Sequence, residues 1–312
     1  MSPRQAKPSE NSEASILKEG LHPRNKHRGS YDFPALIKAF APLAPFVGLN
    51  AYGTTSINYA DPRAVKALNQ ALLSLHYGLR HWDLPSGALC PPVPGRVDYL
   101  HHLAELISEP AKAPTKGPSV RILDIGTGAS CIYPLLGARE YDWSFVGTDI
   151  DAQSLQWARG LVNLSGLPPT QIELRHQKST TAIFRGVTYV DERFAACLCN
   201  PPFHDSRAEA DAGTLRKLRN LSGQKVSQRT LNFGGQDNEL WCEGGEIAFI
   251  TRMIQESSAL PWLCRWFTTL VAKSLHLPPL QRALERARPL ESRIIELRQG
   301  QKIGRIIAWR FQ

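Results

Sequence analysis

The chain has 312 residues, 42% hydrophobic and 21% charged, with a formal net charge of +9. That length can bury one large core, or a core with an appendage. No run approaches roughly 18 consecutive apolar residues and no apolar leader core opens the chain, which predicts neither a membrane span nor a signal peptide, hence a cytoplasmic protein.

Residues 1–20 are polar and rich in Pro, Ser, Glu and Lys, a composition expected to stay disordered. Residues 1–30 carry six Lys/Arg against three Glu, with Arg24, Lys26, His27 and Arg28 packed together. A basic, aromatic, proline-punctuated stretch follows from Leu21 to Phe46, with a helix predicted over Pro34 to Phe40. Asp61-Pro62 then reads as a helix start, Asp61 as cap and Pro62 at the first position. Val65, Leu68, Leu72 and Leu75 continue that helix at apolar spacing to about His76. Trp82 to Gly95 is a proline-rich loop, and Arg96 to Ile107 is read as another helix. Residues 21–110 thus form a helical cap expected to bind RNA, ahead of a domain spanning 111–312.

From Val120 the pattern alternates strand and helix. Val120 to Ile125 is a buried-strand run that breaks into Gly126-Thr127-Gly128 and restarts as a helix from about Cys131 to Arg139. A strand, a tight glycine turn and a helix open a doubly wound nucleotide-binding unit. A dinucleotide site would call for a third glycine where Cys131 stands. Ser144 to Asp149 is a second strand, and its acid falls roughly 20 residues beyond the loop, where a carboxylate can reach ribose hydroxyls. A helix over Ala152 to Leu164 and a strand over Gln171 to Arg175 follow.

Phe194 to Cys199 is a further buried strand, delivering Asn200-Pro201-Pro202-Phe203 at its end. An exocyclic amine such as adenine N6 is a poor nucleophile, because its lone pair is delocalised into the ring. Accepting its two N–H groups at the Asn200 side-chain oxygen and the Pro201 carbonyl would localise that pair, with prolines holding the acceptors in place. Phe203 would stack on the base. The insertion 204–235 brings Arg216, Lys217 and Arg219 immediately after this turn, and with Arg24, Lys26 and Arg28 they are candidates for phosphate contact. A helix from the Gly244-Gly245 pair to about Ser257, a strand Trp266 to Ala272, a helix Leu280 to Ala287 and strands Arg293 to Arg298 and Gly304 to Phe311 close the chain as an antiparallel hairpin. The six cysteines form no C-x-x-C pair and read as reduced core residues, with no metal site expected.

The D-x-G-x-G turn at Asp124 resembles that of S-adenosylmethionine-dependent methyltransferases. The string Asp124 to Ala138, the Asn-Pro-Pro-Phe turn and Trp241-Cys242-Glu243-Gly244-Gly245-Glu246 together resemble the bacterial ribosomal RNA large-subunit methyltransferase F family, with the methyltransferase-like sixteen enzyme as its eukaryotic relative. The resemblance runs from about Leu21 to the C-terminus. It implies an α/β fold, the Rossmann-like class I seven-stranded methyltransferase sheet with an N-terminal helical cap. It also implies S-adenosyl-L-methionine as cofactor and methylation of adenine N6 in 23S ribosomal RNA, or in a large-subunit assembly intermediate, by a monomer. It assigns Arg96 to the cofactor carboxylate and places Asp124, Gly126, Gly128, Ser130, Asp149, Ser179 and Asn200 around the cofactor, with Asn200 also catalytic.

Two other readings share these residues. Asn-Pro-Pro followed by an aromatic also serves N5-glutamine methylation of a protein, against which the basic segments speak. A non-catalytic RNA-binding or ribosome-assembly protein could keep the fold, but Asp124, Gly126, Gly128, Asp149 and the Asn200 turn are intact.

Overall fold

In the computed structural model, residues 20–111, 113–202, 244–300 and 302–312 are described. The predicted tail 1–20 lies outside them save for its last residue. The insertion 204–235, with Arg216, Lys217 and Arg219, lies outside them, as do Phe203 and Trp241 to Glu243.

Asp32 caps α1 (Phe33–Ala39) by accepting the Ala35 N–H at 3.0 Å. Two three-residue strands that sequence patterning does not show, β1 (Val47–Leu49) and β2 (Thr55–Ile57), pair antiparallel. The Asn50 side-chain oxygen folds their turn by accepting the Tyr52 and Thr54 N–H groups. α2 (Pro62–Tyr77) starts as expected, Asp61 accepting the Arg63 N–H at 2.9 Å, and stops at Gly78 in the left-handed region. Its buried face keeps Leu68 and Leu72 of the predicted positions and adds alanines alongside them. Ala64, Ala67, Leu68, Ala71 and Leu72 are buried, whereas Leu75 is exposed and Val65 half-buried. α3 (Val93–Ser108) begins three residues before the predicted start, with a proline in its first turn.

The main sheet is built from β3 (Arg121–Ile125), β4 (Ser144–Asp149), β5 (Ile172–His176), β6 (Phe194–Cys199), β7 (Cys264–Val271), β8 (Glu291–Gln299) and β9 (Lys302–Arg310). Its order is β5-β4-β3-β6-β7-β9-β8, with β9 running against the other six strands and pairing antiparallel with both β7 and β8. α4 (Ile132–Tyr141) and α5 (Ala152–Leu164) connect the first strands, α6 (Gly245–Ala259) precedes β7, and α7 (Leu277–Ala287) precedes β8.

Successive strand residues feed opposite faces, as the pleat requires. Ile122, Ala196, Leu198 and Trp266 pack with α2, α3, α4 and α5 on one face. Leu123, Cys197, Cys199 and Phe267 pack with α6 and α7 on the other. Because the cap helices share the first cluster with the sheet, the N-terminal segment is fastened through apolar contact. A buried hydroxyl link adds to it: the Tyr99 and Thr268 hydroxyls lie 2.7 Å apart, and Thr268 donates to the Cys197 carbonyl. Among the described residues, Cys131, Cys197, Cys199 and Cys264 are buried and outside any disulfide. Among the described residues, no helix is long and apolar enough to cross a membrane.

Candidate functional site

The sheet reverses direction about β3, whose neighbours β4 and β6 leave a crevice beyond their C-terminal ends. The chain leaving β3 turns through Gly126 at φ 74° and Gly128 at φ 62°, values that L side chains rarely adopt. The N–H groups of Gly126 and Thr127 both donate to the Thr148 carbonyl at 2.9 Å, which pins the loop to the end of β4. Nothing within 4 Å would meet a Cβ on Gly126, so the cradle is open. Cys131, at the third-glycine position, is buried with φ 46°.

Asp149 ends β4 and accepts two backbone N–H groups: Gly128 at 2.8 Å on one oxygen, and Asp151 at 2.9 Å on the other. Burial raises its pKa, and these hydrogen bonds pull the other way. Asp124 is buried at 1% exposure, with neither carboxylate oxygen hydrogen-bonded among the described residues. Its pKa is pushed up to about 7, chiefly by burial and further by the Asp149 charge. Arg96 and the nearby Thr127 hydroxyl, which is outside hydrogen-bond geometry, oppose that rise.

These elements surround a cavity of about 330 Å³. Of the predicted residues, Arg96, Gly126, Gly128, Ser130, Asp149, Asn200, Pro201 and Pro202 line it. Asp124 lies behind the loop instead. Ser179 does not line the cavity either; its hydroxyl accepts the Thr181 and Ala182 N–H groups and so shapes the turn that brings Thr180 to Ile183 to the wall. Arg24, Lys26 and Arg28 are also elsewhere. Arg24 donates to the His101 carbonyl at 3.0 Å, and Lys26 reaches Glu140 at 2.6 Å. Arg96 is held at the cavity by the Tyr133 hydroxyl, 2.8 Å from its guanidinium. The Asn200 side-chain oxygen is buried and has no hydrogen-bond partner among the described residues.

The sequence profile of a family described as RNA methyltransferase matches residues 15–312. The chain belongs to that family. It is 53% identical over 298 residues to the ribosomal RNA large subunit methyltransferase F of Aeromonas salmonicida, covering 95% of this chain and 93% of that one. It is 51% identical to the protein of the same name from Bacteroides fragilis, covering 93% and 98%. Among solved structures, the hMettl16 catalytic domain in complex with a MAT2A 3′UTR hairpin superposes with a TM-score of 0.79 at 32% identity, over 94% of this chain and 96% of that one. The N-terminal domain of human METTL16 in complex with SAH gives a TM-score of 0.71 at 29% identity, over 94% and 99%.

For an RNA methyltransferase the donor set fits S-adenosyl-L-methionine, the cofactor of the family. The glycine cradle is open, the Asp149 carboxylate faces the cavity, and no glycine-rich phosphate seat of the dinucleotide kind is formed around Cys131.

Several wall residues carry no motif. Leu89 and Pro91 come from the proline-rich loop, Thr180 to Ile183 from the turn after β5, and Phe249 and Arg252 from α6. The spacing of Phe249 and Arg252, three apart on one helix, was the one available signal for that pair. Glu256, one turn further, accepts the Ile183, Phe184 and Arg185 N–H groups, so α6 also holds the Thr180–Ile183 wall.

His22, His102 and Glu105 bring one ligand atom each within 4.8 Å of one another. The His22 and Glu105 atoms are already engaged. The His22 Nδ1 accepts the Arg24 N–H, which leaves Nε2 as the donor to Glu105 at 2.8 Å, and the Arg24 guanidinium stands 3.7 Å from the same carboxylate.

Proposed function

We propose that this chain transfers the methyl group of S-adenosyl-L-methionine to N6 of an adenine in large-subunit ribosomal RNA, acting in the cytoplasm as a monomer. Its substrate is 23S RNA or a large-subunit assembly intermediate. The observation that carries this reading is the buried, unpartnered Asn200 oxygen on the wall of the cavity, at the end of β6. A buried acceptor left empty is costly, so the site calls for a donor. The N6 amine of adenine offers two.

The bound cofactor supplies an electrophilic methyl group on a sulfonium. Arg96 takes the carboxylate role, Asp149 the ribose hydroxyls, and the Gly126–Ser130 turn the close backbone approach. Asn200 and the Pro201 carbonyl accept the two amine hydrogens and draw the lone pair out of the ring. Pro201 and Pro202 keep those acceptors from reorganising as positive charge develops on nitrogen. No general base is needed beforehand, because the proton leaves to water once the nitrogen is cationic. Phe203 keeps the stacking role by its place in the motif, and Arg216, Lys217 and Arg219 the phosphate role by charge.

Asn200→Ala should lower single-turnover methylation by roughly 10²–10³-fold, about 2.7–4 kcal/mol. Asn200→Asp keeps an acceptor oxygen and should retain more. Mass spectrometry of digested 23S RNA identifies the product as N6-methyladenine. Parental rates in both variants, or a methyl group on another atom, would refute the assignment.

A further inference from the structure

Among the described residues, two arginines line the cavity, Arg96 and Arg252. S-adenosylmethionine has one anionic group, its carboxylate, and is otherwise cationic at sulfur and amine. One guanidinium suits that carboxylate. A second is repelled by the sulfonium unless another anion lies beside it.

Arg252 sits one turn beyond Phe249 on α6, its guanidinium carbon 5.9 Å from the ring centroid. Both residues share the cavity wall with Asn200, Pro201 and Pro202. α6 packs in the same apolar cluster as Cys199, the residue before Asn200, and Phe249 packs against that cluster. The Nε of Arg252 is shielded from solvent and donates to nothing among the described residues. Arg252 as a whole is half-buried, and a guanidinium with one shielded, unpaired N–H at a pocket wall favours an anion beside it. The cofactor has none left to give. An RNA strand does: a target base turned out of its stack brings its own flanking phosphates to the mouth of the pocket that receives it.

We propose that Arg252, edged by Phe249, is the seat for a backbone phosphate of the target nucleotide, and so positions the base against Asn200. This rests on the adenine-N6 reading above. Arg252 is a positioning residue, acting on the strand rather than on the transferred group.

The test uses the full chain, unmodified 23S RNA made by transcription, and labelled S-adenosylmethionine. Arg252→Ala and the near-isosteric R252Q should raise the KM for RNA by roughly ten- to hundredfold, the worth of a charge-assisted hydrogen bond. kcat should fall less than kcat/KM. The log–log salt dependence of RNA binding should flatten by about 0.7–0.9, one phosphate contact. Cofactor Kd, by calorimetry, should stay within about twofold. Arg252→Lys restores a point charge and should recover most of the lost affinity.

Parental KM and salt slope in folded R252Q would overturn the proposal. So would lost cofactor affinity at unchanged RNA KM, which assigns the guanidinium to the carboxylate. Failure of lysine to rescue would also overturn it, since a stacking plane rather than a charge would then be at work. A parental protein that leaves RNA unmethylated refutes the adenine-N6 reading separately, and equilibrium RNA binding by the variants still decides the phosphate seat.

Discussion

Replacing Asp124 by Asn isolates the cost of a carboxyl group sealed behind the glycine loop. In the unfolded chain this group ionises near 3.8; in the folded protein burial pushes it up to about 7. Between those values the folded state binds the extra proton. Stability therefore falls as pH rises from about 4 to about 7 and levels off above. Three pKa units correspond to at most about 4 kcal/mol, an upper bound because an interior group relaxes and is partly screened. Asp124→Asn keeps the shape and removes the titration. In the cofactor-free protein its unfolding free energy should exceed the parent's by a few kcal/mol at pH 8, the difference shrinking toward pH 5. Urea unfolding of both proteins across that range, at fixed ionic strength, measures the difference with all other titrations cancelling. A cationic cofactor in the adjoining cavity should pull the carboxyl back toward ionisation. Parental affinity should then rise with pH up to about 7 and level off above it, with fractional proton release below that point, which the variant loses. Parallel stability profiles for the two proteins would show that Asp124 ionises normally and that the burial argument fails.

Asp149→Ala removes the acceptor for Gly128 and Asp151 and, on the ribose role proposed for it, should lower cofactor affinity by roughly ten- to hundredfold by calorimetry; unchanged affinity would release the acid from that role. Gly137→Ala would place a Cβ 2.3 Å from the Phe145 ring, which should cost about 1–3 kcal/mol in urea unfolding as α4 is pushed off β4.

That glycine bears on what the sequence could show. The dinucleotide fingerprint uses its third glycine for close helix–strand packing, and Cys131 occupies that place. Here the close approach is made two turns later, at Gly137 against Phe145. The three strand-ending motifs were legible because parallel strands read as apolar runs and their loops must carry the special residues. The β1–β2 hairpin was not, since three-residue strands are too short to display alternation. On α2 the sequence showed Leu68 and Leu72 of the buried face but not Ala64, Ala67 and Ala71, since small residues leave no mark on a search for large apolar ones. Arg252 and Thr181 reach the cavity from elements far along the chain, so only the assembled sheet brings them to Asn200.

The basic run at 24–28 shows how charge on a sequence and charge on a surface can part. Arg24 is bound to the His101 carbonyl and set against Glu105, and Lys26 pairs with Glu140 and lies over the Tyr77 ring. His22 and Asn25 meanwhile send N–H groups to the buried Asp98. These contacts fasten the segment to α3 and α4, and α3 carries Arg96 into the cavity. The same cap reaches the sheet again where Trp82 donates to the Ser130 carbonyl and Trp157 to that of Asp83. Partly exposed ion pairs such as Lys26–Glu140 are worth only about 0.2–1 kcal/mol, so an RNA phosphate could take over the lysine at little cost. The buried bonds to Asp98 could not be exchanged so cheaply. The run therefore holds the cap in place through its buried polar members, and the same segment, through α3, sets the wall of the cavity that carries Arg96.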